Sequence, residues 1–522
     1  MHLTIDAGPG SGKTTTLING FHYQLTGQYN FIPTQEQINA CYHIRHNFAS
    51  ISAAQTVFIA FNDSTKQILT QRLPSNCKAY TFNGLGQSVI YKKKGHGTLD
   101  NDRGQKLLEQ ILGSRLKDIP YRDRLEYVSL LKYVDCCKTE LLEPSADNFY
   151  RIQEKYGMQT VPQNIELAKT LHHLMAHYNQ TFDWNDQIWL GLQCLNKPMY
   201  RLAFVDEAQD LSPLRLEFAL RVAENCVFCG DPFQSVNAFA GADHEAFDKL
   251  RKISTINLPL KTCFRMPPNH IEYANTIRPA RITAWKTEIG PIDVINLDNL
   301  ASTINTLKTV PKGYTLTNPQ STPSYPITTS TLFNIPESAS DLNNYLMVAR
   351  TNATLFRIGI YLLKNRIPAK ILRRKEDSDI EKMLIRYLRS ITNPYNCTVP
   401  KVTTIFALQN HLKADMNKAN NLPFKQGSNL YEQASCLMYL SNEASSPQEI
   451  PSLIEALVAD RSNAVRLATG HKAKGLEAPF VFILFPPIPN PRAETPTEKA
   501  QEINLQFVTE TRSEYYKCYV KE

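Results

Sequence analysis

The chain has 522 residues, enough for roughly two to four compact units with substantial cores. Its 42% hydrophobic and 20% charged residues describe an ordinary soluble globular protein, and 57 basic against 49 acidic residues leave a net charge of +8, which suits a polyanionic partner without demanding one. No apolar run approaches a membrane span, and 11 scattered cysteines, an odd number, argue for a reducing compartment rather than a disulfide framework.

In chain order, Leu3-Thr4-Ile5 predicts a short strand, and Leu17, Ile18, Phe21 and Leu25 recur at helical spacing. Between them lies Ala7-Gly8-Pro9-Gly10-Ser11-Gly12-Lys13-Thr14-Thr15, a phosphate-binding loop. Its glycines let successive backbone N–H groups turn around an anion, Lys13 adds charge at the terminal phosphates, and the Thr14 hydroxyl is placed to ligate Mg²⁺. Ala7 stands where the general pattern has its first glycine. This direct entry into a nucleotide loop leaves no signal peptide, so a cytoplasmic, nucleoid-associated location is expected.

Further along, Cys41, His43 and His46, and then His172, His173 and His177, read as helix-surface residues rather than metal ligands. The stretch 88–180 reads as helical, with Leu107, Leu108, Ile111 and Leu112, then Leu125, Val128, Leu131 and Val134 as apolar positions. Leu202-Ala203-Phe204-Val205 predicts a buried parallel strand that delivers Asp206 and Glu207 to the crevice where ligands bind in open α/β sheets. Asp206 would hold Mg²⁺, and Glu207 would polarise water for attack on the γ-phosphate. Cys226 and Cys229 fall within a third apolar strand as buried thiols. After it comes a turn carrying Gln234, neutral and both donor and acceptor, which suits sensing the γ-phosphate. Residues 311–340, rich in Pro, Thr, Ser and Asn, read as a long loop.

Taken together, these segments resemble the UvrD/Rep-like superfamily-one helicases, in order along nearly the whole chain. Ala7 to Thr14 is similar to the family's first motif, including its alanine. Phe58 to Asn62 with Lys66 and Arg72, Tyr80 to Gly86, and Phe182-Asp183-Trp184-Asn185-Asp186 resemble the motifs that follow; Asn83 stands where the family commonly has histidine. Val205 to Asp210 and Gly230 to Ala242 are similar to the Asp-Glu box and the Gln-Ser segment. Leu260 to Arg265, Val348 to Asn352, Arg366 to Pro368, Thr469 to Glu477 and Phe507 to Ser513 resemble the remaining motifs.

The resemblance implies an α/β fold with two RecA-like P-loop NTPase cores, parallel sheets flanked by helices, and helical accessory insertions. It implies ATP and Mg²⁺ as cofactors, Gly475 and Glu477 at the nucleotide, and Arg265 and Arg512 as γ-phosphate arginines. Phe61, Asn62, Thr81, Phe82, Asn83, Phe239, Thr469 and His471 would form the DNA track, although each of the three phenylalanines also suits a core. The partners implied are single-stranded DNA and tailed duplex DNA, with movement 3′ to 5′ and no membrane.

Two departures stand out. There is no room upstream of the phosphate loop for the family's adenine-reading glutamine motif; Pro33 to Ile38 has similar composition but lies downstream. Asn237, Phe239 and Ala240 replace the usual tyrosine, tryptophan and arginine. The expected layout is a first core over 1–87 and 181–262 interrupted by a helical insertion at 88–180. A second core follows over 263–375 and 463–522, interrupted by a reduced insertion at 376–462. A DNA helicase or translocase is the first reading, and a DNA-stimulated ATPase switch or loading factor without processive unwinding is the second. A scaffold with vestigial catalytic residues is disfavoured, since Lys13, Thr14, Asp206, Glu207, Gln234, Arg265 and Arg512 are all present.

Overall fold

A computed structural model describes residues 1–156, 164–177, 180–236, 246–309, 339–373, 380–393, 402–421, 424–485 and 496–522. The loop expected at 311–340 therefore lies almost wholly outside the described residues, as does Phe239. The chain divides into two units, Met1–Thr262 and Cys263–Glu522, each built on a six-stranded parallel sheet.

In the first unit the strands run, across the sheet, Lys78–Thr81, Thr56–Ala60, Tyr200–Val205, Ala223–Gly230, His2–Ala7 and Ile256–Leu260. Strand alternation feeds two cores. Phe58, Ala60, Leu202, Phe204, Val227 and Cys229 pack on one face with Leu17, Phe21 and Ile44, while Val57, Ile59, Ala203, Val205, Cys226 and Phe228 pack on the other. A sheet covered on both faces needs strands apolar throughout, and Thr56–Ala60 is buried at every position. Phe58 and Phe204 stack at 4.6 Å, with Phe21 edge-on to both.

The helices Arg103–Leu112, Tyr121–Glu140, Ala146–Tyr156 and Ile165–Ala176 form the stretch expected to be helical. Leu125 and Val128 are 48% and 53% exposed, and the buried stripe is instead Leu130, Tyr133, Val134 and Cys137. Strict three-residue steps drift around a helix of about 100° per residue, so positions 125 and 134 lie on opposite sides.

The second unit's sheet runs Ile292–Asn296, Ser513–Lys521, Ala478–Leu484, Tyr345–Ala349, Val465–Thr469 and Ala369–Ile371. Helices Ile380–Thr392, Ile405–Asn420, Phe424–Ser441 and Ile450–Val458 occupy the stretch expected as a reduced insertion. Their Leu384, Leu412, Leu437 and Ile454 share one apolar core with Met347, Leu467 and Phe482 of the sheet. The Glu432 carboxylate accepts from the Asn352 backbone at 2.8 Å and its amide at 2.6 Å, tying these helices to the helix Asn352–Lys364. No described helix is long and apolar enough to cross a membrane.

Candidate nucleotide site and nucleic-acid face

The strands His2–Ala7, Ala223–Gly230 and Tyr200–Val205 are consecutive in the first sheet, so the segments leaving their C-terminal ends converge. After the first comes the loop Gly8–Gly12, where Gly10 (φ 65°) and Gly12 (φ 75°) occupy left-handed backbone that a side chain would strain. Ser11 Oγ donates to the Gly8 carbonyl at 2.8 Å and the Gly8 N–H donates to Leu260 O at 2.8 Å, fixing the loop's curvature. Gly12 caps the helix Lys13–Thr26 with no side chain, leaving its first-turn amides directed at whatever the loop encloses.

Lys13 and Thr14 open that helix, and the Thr14 hydroxyl donates to the Asp206 carboxylate. Burial lowers the Lys13 pKa, but Glu207, Asp231 and Asp206 raise it further, so the ammonium charge is secured. Asp206 is 3% exposed; burial, then the Glu207 charge, push it up to about 6 despite Thr14 and Lys13. The buried Asp206 and the half-buried Glu207 make a negatively charged site, facing Lys13, that could also take a metal cation. Thr14 and Asp206, a hydroxyl and a carboxylate already in contact, are the hard oxygen pair that Mg²⁺ accepts beside a phosphate.

Glu207 sits in left-handed backbone (φ 53°), an unfavourable place for a residue with a side chain, which turns its carboxylate out of the strand direction. Its neighbour Gln209 fixes it: the Gln209 amide donates to the Glu207 carboxylate, and its carbonyl oxygen accepts from the Asp231 N–H at 2.9 Å. Gly230 permits this, because a Cβ there would lie 2.4 Å from Gln209 Oε1. Gln234, 4% exposed, donates through Nε2 to Asp231 at 2.6 Å. The structure thus brings together Lys13, Thr14, Asp206, Glu207 and Gln234 through two residues that carried no role in the sequence, Gln209 and Asp231. Their contacts span 22 positions, and only the Asp-Glu-x-Gln spacing hinted at the first.

Within the second unit, Arg265 Nε donates to Glu477 at 2.7 Å and its Nη1 to the Thr511 carbonyl at 2.9 Å. Burial raises the Glu477 pKa, but Arg265 more than reverses it, so that carboxylate sits below its usual range. Gly475, two residues earlier, has φ 82°. Arg512 is different. It is 1% exposed, and its guanidinium donates to the carbonyls of Val508 at 2.7 Å and Leu476 at 3.1 Å and to Thr511 Oγ1 at 2.9 Å.

The expected strand-binding residues mostly lie where strands of the two sheets end. Phe61 and Asn62 follow Thr56–Ala60, and Ala60 pairs with Thr81 at the end of the next strand. Asn62 and Thr81 cap helices, accepting from Thr65 N at 2.8 Å and Gly84 N at 3.1 Å. Phe61 is partly exposed, with the Arg215 guanidinium 5.3 Å from its ring centre. Phe82 needs a correction: it is 3% exposed and belongs to the apolar core, so its ring is not open to a base. The first residue of the helix Phe82–Lys94 points inward while the cap before it stays at the surface. Thr469 ends a strand of the second sheet and caps the turn holding His471.

Glu36 was also missed. Its carboxylate accepts from the N–H groups of Lys261 at 2.8 Å and Thr262 at 2.9 Å, while Lys261 Nζ pairs with Asp6 at 2.7 Å. The downstream glutamine segment caps its own helix through Thr34 and Gln37, and Gln37 Nε2 donates to Thr16 Oγ1 at 3.1 Å.

Residues 1–254 match the family described as UvrD/REP helicase N-terminal domain. Over 404 residues the chain is 23% identical to the mitochondrial ATP-dependent DNA helicase HMI1 of Saccharomyces cerevisiae, covering 74% of this chain and 53% of that protein. Over 283 residues it is 22% identical to F-box DNA helicase 1 of Gallus gallus, covering 52% of this chain and 24% of that one. The chain therefore spans about half or less of these relatives. A solved arterivirus nonstructural protein 10 helicase aligns with the whole chain and 59% of its own at 9% identity and a TM-score of 0.31, too distant to add to the argument.

Proposed function

The chain belongs to the UvrD/Rep-like helicase family, and from that premise we propose that it is an ATP-dependent DNA helicase or translocase moving 3′ to 5′ along a single strand. The observation that carries the proposal is the convergence of Lys13, the Thr14–Asp206 contact and the Gln209-oriented Glu207 at adjacent strand ends. Lys13 and the open amides of the first helical turn bind the phosphates, and Glu207 orients the attacking water and takes up its proton. Thr14 and Asp206 would hold Mg²⁺, which would supply charge neutralisation at the phosphate oxygens. Arg265 is the arginine we assign to the γ-phosphate, since one of its two present partners is a carboxylate that an anion can replace.

The test is ATP turnover with and without single-stranded DNA, followed by strand displacement on duplexes carrying a 3′ or a 5′ tail. Stimulated turnover with displacement from the 3′ tail supports the proposal; no turnover removes the enzyme reading, and displacement from the 5′ tail alone removes the polarity. One observation favours the second reading, a DNA-stimulated ATPase without processive unwinding. The helices of 376–462 share the core of the second sheet, which leaves less of that stretch to act on a duplex. Stimulated turnover with no displacement from either tail would select it.

A further inference from the structure

The first turn of the helix Gln35–Phe48 is tied to both sides of the phosphate loop. The helix itself is anchored by Ala40, Ile44 and Phe48, which lie in one core with Leu3, Ile5 and Leu17. It packs so closely on Lys13–Thr26 that a Cβ on Gly20 would lie 2.6 Å from Ile44 Cδ1. A capping box between Thr34 and Gln37 fixes its N-terminus.

From this turn a single oxygen, Glu36 Oε2, accepts three donors. They are the N–H groups of Lys261 at 2.8 Å and Thr262 at 2.9 Å and the Thr262 hydroxyl at 3.0 Å. An ionised acceptor makes each bond about twice as strong as a neutral one, and two consecutive amides on one carboxylate immobilise the backbone that carries them. That backbone in turn meets the start of the loop at three points. Leu260 O accepts from the Gly8 N–H at 2.8 Å, and Lys261 Nζ donates to Asp6 Oδ1 at 2.7 Å and to the Ala7 carbonyl at 3.4 Å. Arg251 holds the other Asp6 oxygen at 2.5 Å. On the far side of the loop, Gln37 Nε2 donates to Thr16 Oγ1 at 3.1 Å, while Gln37 Oε1 accepts from the Thr34 N–H at 3.0 Å. The Gln37 amide is thus engaged through both its nitrogen and its oxygen within the protein.

We propose that Glu36 is a positioning residue for phosphate binding: through Lys261 and Thr262 it braces Asp6–Gly8 in the curvature that receives the nucleotide's phosphate chain. The inference deepens the nucleotide-site reading above and rests on it. A loop ordered in advance binds without the cost of ordering it at the moment of contact. The brace touches neither ligand nor reacting atoms, so it acts on affinity for the phosphates and is blind to the base.

The experiment measures binding of ATP and of inorganic tripolyphosphate to the full chain in Mg²⁺, beside steady-state ATP hydrolysis and a melting curve. Glu36→Ala should weaken both ligands by the same factor, roughly 10-fold, the effect of losing one bond to a charged group. It should raise KM for ATP by that factor and leave kcat within about twofold. Glu36→Gln, which keeps an oxygen acceptor and drops the charge, should recover part of the loss; if Glu36→Ala does not fold, the two affinities of Glu36→Gln decide the matter by the same criterion. A loss confined to ATP would place Glu36 at the base and overturn the proposal. So would a lowered melting midpoint with both affinities unchanged, or a lowered kcat with KM unchanged. A wild-type chain that binds neither ATP nor tripolyphosphate removes the nucleotide site itself, and this inference with it.

Discussion

Replacing Lys138 by methionine isolates the buried charge network. The side chain is fully buried, contacts Asp183 and Asp186, and has Asp135 at 3.1 Å. Burial lowers its pKa, yet the three aspartates outweigh that and hold it charged. Methionine matches the volume and removes the charge, stranding two carboxylates in the interior with only Arg103 left on Asp186. Breaking a buried pair costs about 3–5 kcal/mol. For a unit of this size that lowers its unfolding midpoint by roughly 6–20 °C. The pH dependence gives a second handle. Burial raises Asp183 to about 6 even with Lys138 lowering it, so losing the lysine pushes it higher still. A carboxyl whose folded pKa exceeds its unfolded one binds more protons when folded, so its unfavourable contribution fades as pH falls through the folded value. Scanning calorimetry of wild type and Lys138→Met at pH 7.5 and pH 5 should therefore show a deficit that narrows in acid. A variant melting within a degree or two of wild type at neutral pH, or a deficit that widens in acid, refutes the reasoning.

Lys13→Ala should abolish ATP hydrolysis; full turnover in that variant would remove the phosphate-loop assignment. Arg265→Ala should lose about 10³- to 10⁵-fold in turnover with nucleotide binding and melting near wild type. Arg512→Ala should instead lower the melting midpoint, because the carbonyls of Val508 and Leu476 lose buried donors worth about 1–3 kcal/mol each; calorimetry beside a nucleotide-binding titration separates the two. If Asp206 holds Mg²⁺ as proposed, it must be ionised to do so; burial and Glu207 push it up to about 6, so turnover at low Mg²⁺ should fall as pH drops through 6 and recover with added Mg²⁺. An acid limb insensitive to Mg²⁺ would contradict this. Gly86→Ala should destabilise the first unit by about 3 kcal/mol or more, since its Cβ meets a backbone carbonyl that cannot swing away. Denaturant titration with wild-type stability would count against that close approach.

The parts legible in the sequence are those where a short segment dictates its own geometry. Glycines at positions 10 and 12 announce positive φ, and an apolar run ending in two acids announces a strand delivering carboxylates to the C-terminal end of the sheet. Helical periodicity located the stretch 88–180 but not its buried face, because steps of three residues share a side only over a turn or two. Phe82 misled for a related reason. It adjoins Thr81 in one motif, but a strand ends and a helix starts between them, and the two side chains part company.

What could not be read are pairings fixed by sheet order. Glu36 holds the backbone of Lys261 and Thr262 across 225 and 226 positions, and Lys138 meets Asp186 from a different helix. No local pattern carries such information, since it exists only once the sheet has chosen its neighbours. The two arginines show the consequence most clearly. In the sequence both are motif residues with the same expected role. Folded, Arg265 donates to the Glu477 carboxylate, whose side chain is 55% exposed, and to the Thr511 carbonyl. Arg512 spends its donors on two carbonyls and a hydroxyl in the interior, and moving it toward any ligand would first unmake those bonds. Equal motif standing therefore does not confer equal mobility, and the proposed assignment of Arg265 to the γ-phosphate rests on that difference.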